Sequence, residues 1–164
     1  MTGAAPELVT VVKSRRDKAL ASLVAGVPYI QFLGIRFDRR GDELTAVLPF
    51  DEKLIGNPMI PALHGGVTAA FMEVAAIIEL AWSSQWVNME QGVQGGIRLP
   101  KTIDFNVDYL RSGLPRDAYA RAVVNRSGRR FASVQVQAWQ DNRAKPFAMA
   151  SAHFLIPEDT DDVL

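Results

Sequence analysis

The sequence has no cysteine and only two histidines, His64 and His153, among its 164 residues. Without a thiol the chain can form no disulfide, no thiolate zinc site and no cysteine nucleophile. Two histidines do not support a multi-histidine metal site, so we expect no metal centre. Neither sign of charge is in excess, because lysine plus arginine and aspartate plus glutamate number 18 each. That balance argues against a nucleic-acid partner or a polybasic membrane contact.

A secretory pattern is also missing, because residues 7–25 interrupt their apolar positions with the stretch KSRRDK. The one membrane-like run, residues 65–82, contains Thr68, Glu73 and Glu79. Two carboxylates near the centre of a bilayer would be costly. We therefore interpret this run as the buried helix of a soluble, cytoplasmic protein.

We read the chain as a single domain, 1–164, with a core at about 28–156 and an acidic tail at 157–164. The predicted elements are a helix at about 7–25, hairpin strands at 32–39 and 43–50, a helix at 65–83, and strands at 102–110, 118–125, 130–139 and 145–156. Alternation in the strand at 102–110 places Ile103, Phe105, Val107 and Tyr109 on one face. Short turns between strands predict an antiparallel sheet. Because a helix that is apolar on all sides must be surrounded, we predict an α+β fold in which six strands curl around helix 65–83.

A single carboxylate, Glu73, stands near the middle of that helix, and the helix begins after His64 with Gly65 and Gly66. No neighbour three or four residues away can pair with Glu73, so this side chain either lies at a wet edge of the helix or serves a function. We expect Glu79, nearer the helix end, to be solvated. Glycines at a helix N-terminus let a ligand oxygen approach free N–H groups, although close packing would also explain them. About 12 Å of helix separates Gly65 from Glu73, so a site that uses both requires two chains.

The stretch HGGVTAAFMEVA resembles the motif of hotdog-fold acyl-CoA thioesterases of the phenylacetate-degradation (PaaI-like) family, which is related to 4-hydroxybenzoyl-CoA thioesterases. The segments FLGIRF, VDYLRSG and SGRRFASVQVQ extend the resemblance over about residues 28–156. It implies a hotdog fold, in which a six-stranded curved antiparallel sheet wraps a long central helix, here with an extra N-terminal helix. It also implies homodimers whose sheets join edge to edge, or dimers of dimers. The implied reaction is hydrolysis of an acyl-CoA thioester to a free acid and CoA, with no cofactor beyond the CoA of the substrate.

The resemblance assigns a role to each residue of the motif. Glu73 corresponds to the nucleophile or general base, the Gly65 amide to the donor for the thioester oxygen, and His64 to a shaping or polarising group. Asn57 is the nearest candidate for the polar residue that often precedes the motif, although Pro61 marks a changed loop there. Ile77 stands where relatives carry a threonine or serine one turn after the acid, so that helper is missing.

For coenzyme A, the resemblance indicates Arg111, Arg129 and Arg130, because the planar arginine fork suits phosphate. We add Gly66 and Gly128 as positions where the backbone can approach the coenzyme, although solvated arginines and a simple turn remain the alternative. His153 is expected to be structural. Trp82, Trp86 and Met72 either line an acyl pocket or pack in the core.

Two other functions remain compatible with the residues. A hotdog-fold hydratase or dehydratase needs a catalytic histidine, for which His64 is the candidate. A non-catalytic acyl-CoA-binding or sensor module would bind the thioester without releasing thiol.

Overall fold

The fold is a curved sheet packed on one long helix. The structure is a computed structural model that describes residues 7–90 and 98–158, and the backbone alone at 87–90. The helices are α1 (Val9–Ala25), α2 (Pro28–Leu33) and α3 (Gly65–Glu90), and the strands are β1 (Arg36–Arg40), β2 (Glu43–Leu48), β3 (Lys101–Tyr109), β4 (Ala118–Ser127), β5 (Phe131–Trp139) and β6 (Ala148–Leu155). The predicted N-terminal helix, central helix and six strands are therefore confirmed.

The six strands form one antiparallel sheet in the order β1-β2-β4-β5-β6-β3. The predicted antiparallel pairing is confirmed. Strand β3 follows α3 in the chain but lies at the far edge of the sheet, paired with β6. This position brings a nine-residue strand to a free edge.

Helix α3 is the core of the fold. It contacts β2, β3, β4 and β5, and α1 packs against it as well. Phe71, Met72 and Ile78 are completely buried, and Trp82 is nearly so, which favours core packing for Met72 and Trp82. By length and composition the stretch Gly65–Trp86 could cross a membrane, but 56% of its apolar 18-residue window is buried inside the protein. The apolar run is therefore the buried core helix.

Several element boundaries differ from those that the sequence predicts. Helix α3 continues to Glu90 instead of ending at 83, and residues 91–97 of the predicted connection lie outside the described residues. Residues that we assigned to the start of the first strand form α2. Pro28 supplies the fixed φ of a first helical residue, and Gly34 ends the helix with a φ of 70°.

A β-bulge in β3 changes which side chains face the helix. Thr102 and Asp104 pair with neighbouring residues of β6, so Ile103 is the extra residue. After the bulge, Phe105 and Val107 pack on the core, as the alternation predicts. Before it the faces are reversed: Thr102 points to the helix, and Ile103 is 53% exposed. The prediction that Ile103 shares a face with Phe105, Val107 and Tyr109 is therefore wrong.

Glu79 lies in the middle of the longer helix instead of near its end. Burial raises the pKa of this carboxyl from 4.5 to about 7, because desolvation disfavours the charged form. The folded state thus holds a proton that the unfolded chain releases between these two values. The resulting stabilisation is complete below pH 4.5 and is lost as the pH rises through 7.

Replacing Glu79 with glutamine should therefore stabilise the protein at high pH, by up to about 3 kcal/mol. The stabilisation relative to wild type should grow by about 2 kcal/mol between pH 5 and pH 8. Denaturant unfolding at both pH values, at one protein concentration, measures this change. Equal differences at pH 5 and pH 8 would show that Glu79 is solvated after all.

Candidate active site

The start of α3 is built around the imidazole of His64. Its Nδ1 accepts a hydrogen bond of 2.9 Å from the Gly66 N–H, so His64 acts as an N-cap. A Cβ on Gly66 would lie 3.0 Å from that nitrogen, which explains the second glycine by close packing. No described residue accepts a hydrogen bond from the Gly65 N–H. Within the motif, His64 therefore binds the Gly66 N–H, and the Gly65 N–H stays available.

The loop before the motif holds His64 in place. The His64 N–H donates to the Leu54 carbonyl at 2.8 Å, and Gly56 lies so close that a Cβ there would be 2.9 Å from the His64 Cα. Asn57 follows in the same loop, where its Oδ1 accepts a hydrogen bond from the Met59 N–H at 3.0 Å. Its amide oxygen is thus engaged locally, and a role for Asn57 at the site stays a prediction.

Glu73 lies half-buried on α3 and has a partner from another element. Its Oε1 accepts a hydrogen bond of 2.5 Å from the Thr102 hydroxyl on β3. A hydroxyl that donates to a carboxylate at this distance forms a strong, charge-assisted bond. The bond stabilises the carboxylate and restricts its orientation. A hydroxyl at position 77 would otherwise have this role.

Sequence reasoning missed Thr102. Strict alternation placed this side chain on the outer face of β3, and the bulge at Ile103 turns it inward. Nothing in the local sequence required a bulge there. Thr102 could have been found by a search for a donor to Glu73, because a buried carboxylate needs one and this threonine lies on a strand next to the helix.

The other end of β3 contacts the first residue of α3. The Tyr109 hydroxyl donates a hydrogen bond of 2.7 Å to the Gly65 carbonyl. A Cβ on Gly65 would lie 3.4 Å from both the Cζ and the hydroxyl oxygen of Tyr109. One strand therefore touches Gly65 at its C-terminal end and Glu73 at its N-terminal end.

The arginines assigned to coenzyme A lie at two separate places. Arg129 and Arg130 follow the turn at Gly128, whose N–H bonds the Phe131 carbonyl, and both contact the Glu158 carboxylate, at 2.9 and 3.3 Å. The Arg98 guanidinium, which the sequence did not indicate, donates to the Glu158 carbonyl.

Arg111, by contrast, stands two residues after Tyr109, near the Gly65 end of the site. In the described part of the chain its guanidinium has no hydrogen-bonding or ion-pair partner.

His153 lies on the outer face of the sheet, away from the helix. Its Nδ1 is 3.0 Å from both carboxylate oxygens of Asp104, and its ring stacks on Phe131. This arrangement agrees with the structural role that we expected for His153. Within residues 7–90 and 98–158 no three histidine, aspartate or glutamate side chains are grouped so that they could hold a metal ion.

Chemically, the site offers an oriented carboxylate and a backbone amide, that of Gly65, for which the described residues provide no acceptor. A carboxylate can attack a carbonyl carbon or activate water, and an amide at a helix N-terminus can stabilise the oxyanion that forms. The two groups are separated along α3 by about 12 Å. They cannot act on one carbonyl within one chain.

Known proteins are similar to this chain in sequence and in fold. Residues 56–155 match the sequence profile of the family described as acyl-CoA thioesterase N-terminal domain. The medium/long-chain acyl-CoA thioesterase YigI of Escherichia coli K12 is 28% identical over 79% of this chain and 86% of its own length.

Two solved structures show the same fold. A Chromobacterium violaceum protein is 37% identical, with a TM-score of 0.62 over 91% of this chain and 98% of its own. A Bacillus halodurans protein solved with CoA is 21% identical, with a TM-score of 0.62 over 96% of this chain and 99% of its own. The matched profile spans most of the folded core, including Gly65, Glu73, Thr102 and Tyr109, and the chain belongs to this acyl-CoA thioesterase family of hotdog-fold thioester hydrolases.

Proposed function

We propose that this chain hydrolyses acyl-CoA thioesters with an apolar acyl group to free acid and CoA, with Glu73 as the catalytic carboxylate. The observation that carries this proposal is the 2.5 Å hydrogen bond from Thr102, which holds a carboxylate in place on a mostly apolar helix. Family membership supports the reaction class. The apolar residues around Glu73 and the medium/long-chain substrates in the name of the Escherichia coli relative favour an apolar acyl chain.

The site closes across a homodimer in this proposal. Strand β3 is a free edge, and Ile103, Tyr109 and Leu110 on or next to it are 53%, 54% and 52% exposed. A long edge strand with apolar side chains is a template for pairing with another chain. We infer that β3 pairs antiparallel with β3 of a second copy about a two-fold axis, which also permits dimers of dimers.

Antiparallel pairing explains how the separated groups meet. A two-fold axis near the middle of β3 places the Tyr109 end of one strand beside the Thr102 end of the other. Because Tyr109 touches Gly65 and Thr102 touches Glu73, Gly65 of one chain then lies beside Glu73 of the partner subunit. Each dimer has two such sites.

The reaction follows from this arrangement. The thioester oxygen accepts a hydrogen bond from the Gly65 N–H, and the carbonyl carbon faces Glu73 of the partner subunit. The carboxylate either attacks that carbon, so that the CoA thiolate leaves and water then cleaves the acyl anhydride, or removes a proton from an attacking water. Both routes release one acid and one CoA per water consumed.

The same pairing brings together the arginines that we assigned to coenzyme A. Arg111 follows the Tyr109 end of β3, whereas Arg129 and Arg130 lie beside the strand ends near Lys101 and Leu155. In the dimer, Arg111 of one chain therefore approaches Arg129 and Arg130 of the other. These side chains, with Gly66 and Gly128, form the proposed CoA-binding region, and the Bacillus halodurans neighbour solved with CoA supports this choice of ligand.

The other two functions have less support. The Nδ1 of His64 is occupied by the Gly66 N–H, which disfavours this histidine as the base of a hydratase. A binding or sensor module would retain acyl-CoA without releasing thiol. The single-domain organisation over 1–164 and the cytoplasmic location stay predictions.

Replacing Glu73 with alanine or glutamine should reduce hydrolysis about 100- to 10,000-fold, because the general base or nucleophile is lost. Release of free CoA from short, medium, long and aromatic acyl-CoAs measures the effect and ranks the substrates. Glu79→Gln is the matched control, a partly buried carboxylate six residues along the same helix, and it should keep wild-type activity. Equal activity of Glu73→Ala and wild type would refute the mechanism.

Replacing Thr102 with valine should lower kcat about 10- to 100-fold, because a hydrogen bond to a charged group is worth about 1.5–3 kcal/mol. Thr102→Ser keeps the hydroxyl and should retain most of the activity. Steady-state CoA release distinguishes the two variants. If valine and serine at position 102 were equally active, the hydroxyl would not orient Glu73.

Replacing Glu158 with glutamine should lower the KM for acyl-CoA by up to about 5-fold, because exposed ion pairs are worth about 0.2–1 kcal/mol. The carboxylate occupies Arg129 and Arg130, where we place a phosphate of CoA. Glu7→Gln, which breaks the exposed pair with Arg15 on α1, is the control. An unchanged or higher KM in Glu158→Gln would place the coenzyme elsewhere.

A further inference from the structure

Tyr109 makes two contacts with Gly65, the first residue of α3. Its hydroxyl donates to the Gly65 carbonyl at 2.7 Å. Its ring lies against Gly65, since a Cβ there would be 3.4 Å from the ring. The residue is nevertheless 54% exposed, so much of its side chain remains accessible to a ligand next to Gly65.

The two peptides that flank Gly65 each have one further hydrogen bond. The carbonyl of the His64–Gly65 peptide accepts from the Thr68 N–H at 3.0 Å, and the N–H of the Gly65–Gly66 peptide donates to the His64 imidazole. Gly65 has no side chain with which to fix itself, and glycine explores more backbone conformations than any other residue. The Tyr109 hydroxyl is the side-chain group that reaches the Gly65 carbonyl from outside the helix.

We propose that Tyr109 is a positioning residue for the Gly65 amide and that its exposed ring forms a wall of the thioester site. This inference rests on the proposed function. The hydroxyl holds the Gly65 residue so that its N–H points towards the thioester oxygen. In the proposed dimer the ring borders the space between that N–H and Glu73 of the partner subunit, where the thioester and the first carbons of an apolar acyl group must lie.

The two contributions are separable, because one belongs to the hydroxyl and the other to the ring. Tyr109→Phe removes the hydroxyl and keeps the ring. An amide that is aimed less well stabilises the oxyanion less, so kcat should fall about 3- to 10-fold. The KM and the affinity for a thioether analogue, in which a methylene replaces the thioester carbonyl, should stay within 2-fold of wild type. Tyr109→Ala also removes the wall and should weaken binding of the thioether at least 5-fold.

The experiment compares kcat, KM and the thioether Kd for wild type, Tyr109→Phe and Tyr109→Ala. Tyr29→Phe is the matched control, a half-exposed tyrosine that stacks on Phe32 in α2, and it should change none of the three. A second measurement needs no catalysis: in Glu73→Gln, the proton and nitrogen NMR shifts of the Gly65 amide should move when Tyr109→Phe is added. Tyr29→Phe should leave them unchanged.

Specific results would overturn the inference. A wild-type kcat in Tyr109→Phe, or an unshifted Gly65 amide, would show that the hydroxyl does not position the amide. A thioether affinity that falls in parallel with kcat in Tyr109→Phe would indicate a binding role for the hydroxyl. Failure of the wild type to release CoA would instead refute the proposed function, so the two failures are distinguishable.

Discussion

The hydrogen bond between Thr102 and Glu73 is the interaction on which the site depends. A charged carboxylate on a mostly apolar helix is stabilised by a donor, because burial of the charge without one is costly. No hydrogen bond or ion pair joins Glu73 to another described residue of α3, so the donor must come from the sheet. Two features of the fold satisfy this requirement: β3 passes beside the helix, and a bulge turns Thr102 towards it. A strand of strict alternation would present the apolar side chain of Ile103 instead.

Strand β3 therefore connects the two chemical halves of the site. One end holds the carboxylate and the other holds the helix N-terminus, and the strand keeps these two ends apart within one chain. The same strand is the free edge of the sheet. In the proposed dimer, pairing at this edge closes the site, so assembly and activity would depend on one element. The exposure of Ile103 and Tyr109 on β3 agrees with this proposal, since an edge strand that pairs with another chain is exposed until it is paired.

The sequence predicts the features that depend on local pattern and misses those that depend on distant pairing. The central helix, the antiparallel strands and the position of Glu73 follow from periodicity and turn residues. The bulge at Ile103 does not, because one extra residue leaves no local mark and yet reverses every side chain before it. The edge position of β3 requires its pairing with β6, about 45 residues away. Glu79 was misplaced for a simpler reason, since α3 extends seven residues beyond its predicted end.

The two glycines of the motif contact different neighbours. Gly66 lies under the His64 imidazole, where a Cβ would be 3.0 Å from Nδ1, and its amide is used by that ring. Gly65 lies under Tyr109, where a Cβ would be in ordinary contact at 3.4 Å, so packing alone does not demand a glycine there. What an alanine at position 65 would add is a methyl group next to an amide that has no acceptor among the described residues. The glycine at 66 is thus explained by packing, whereas the glycine at 65 agrees with the proposal that a ligand oxygen approaches its N–H.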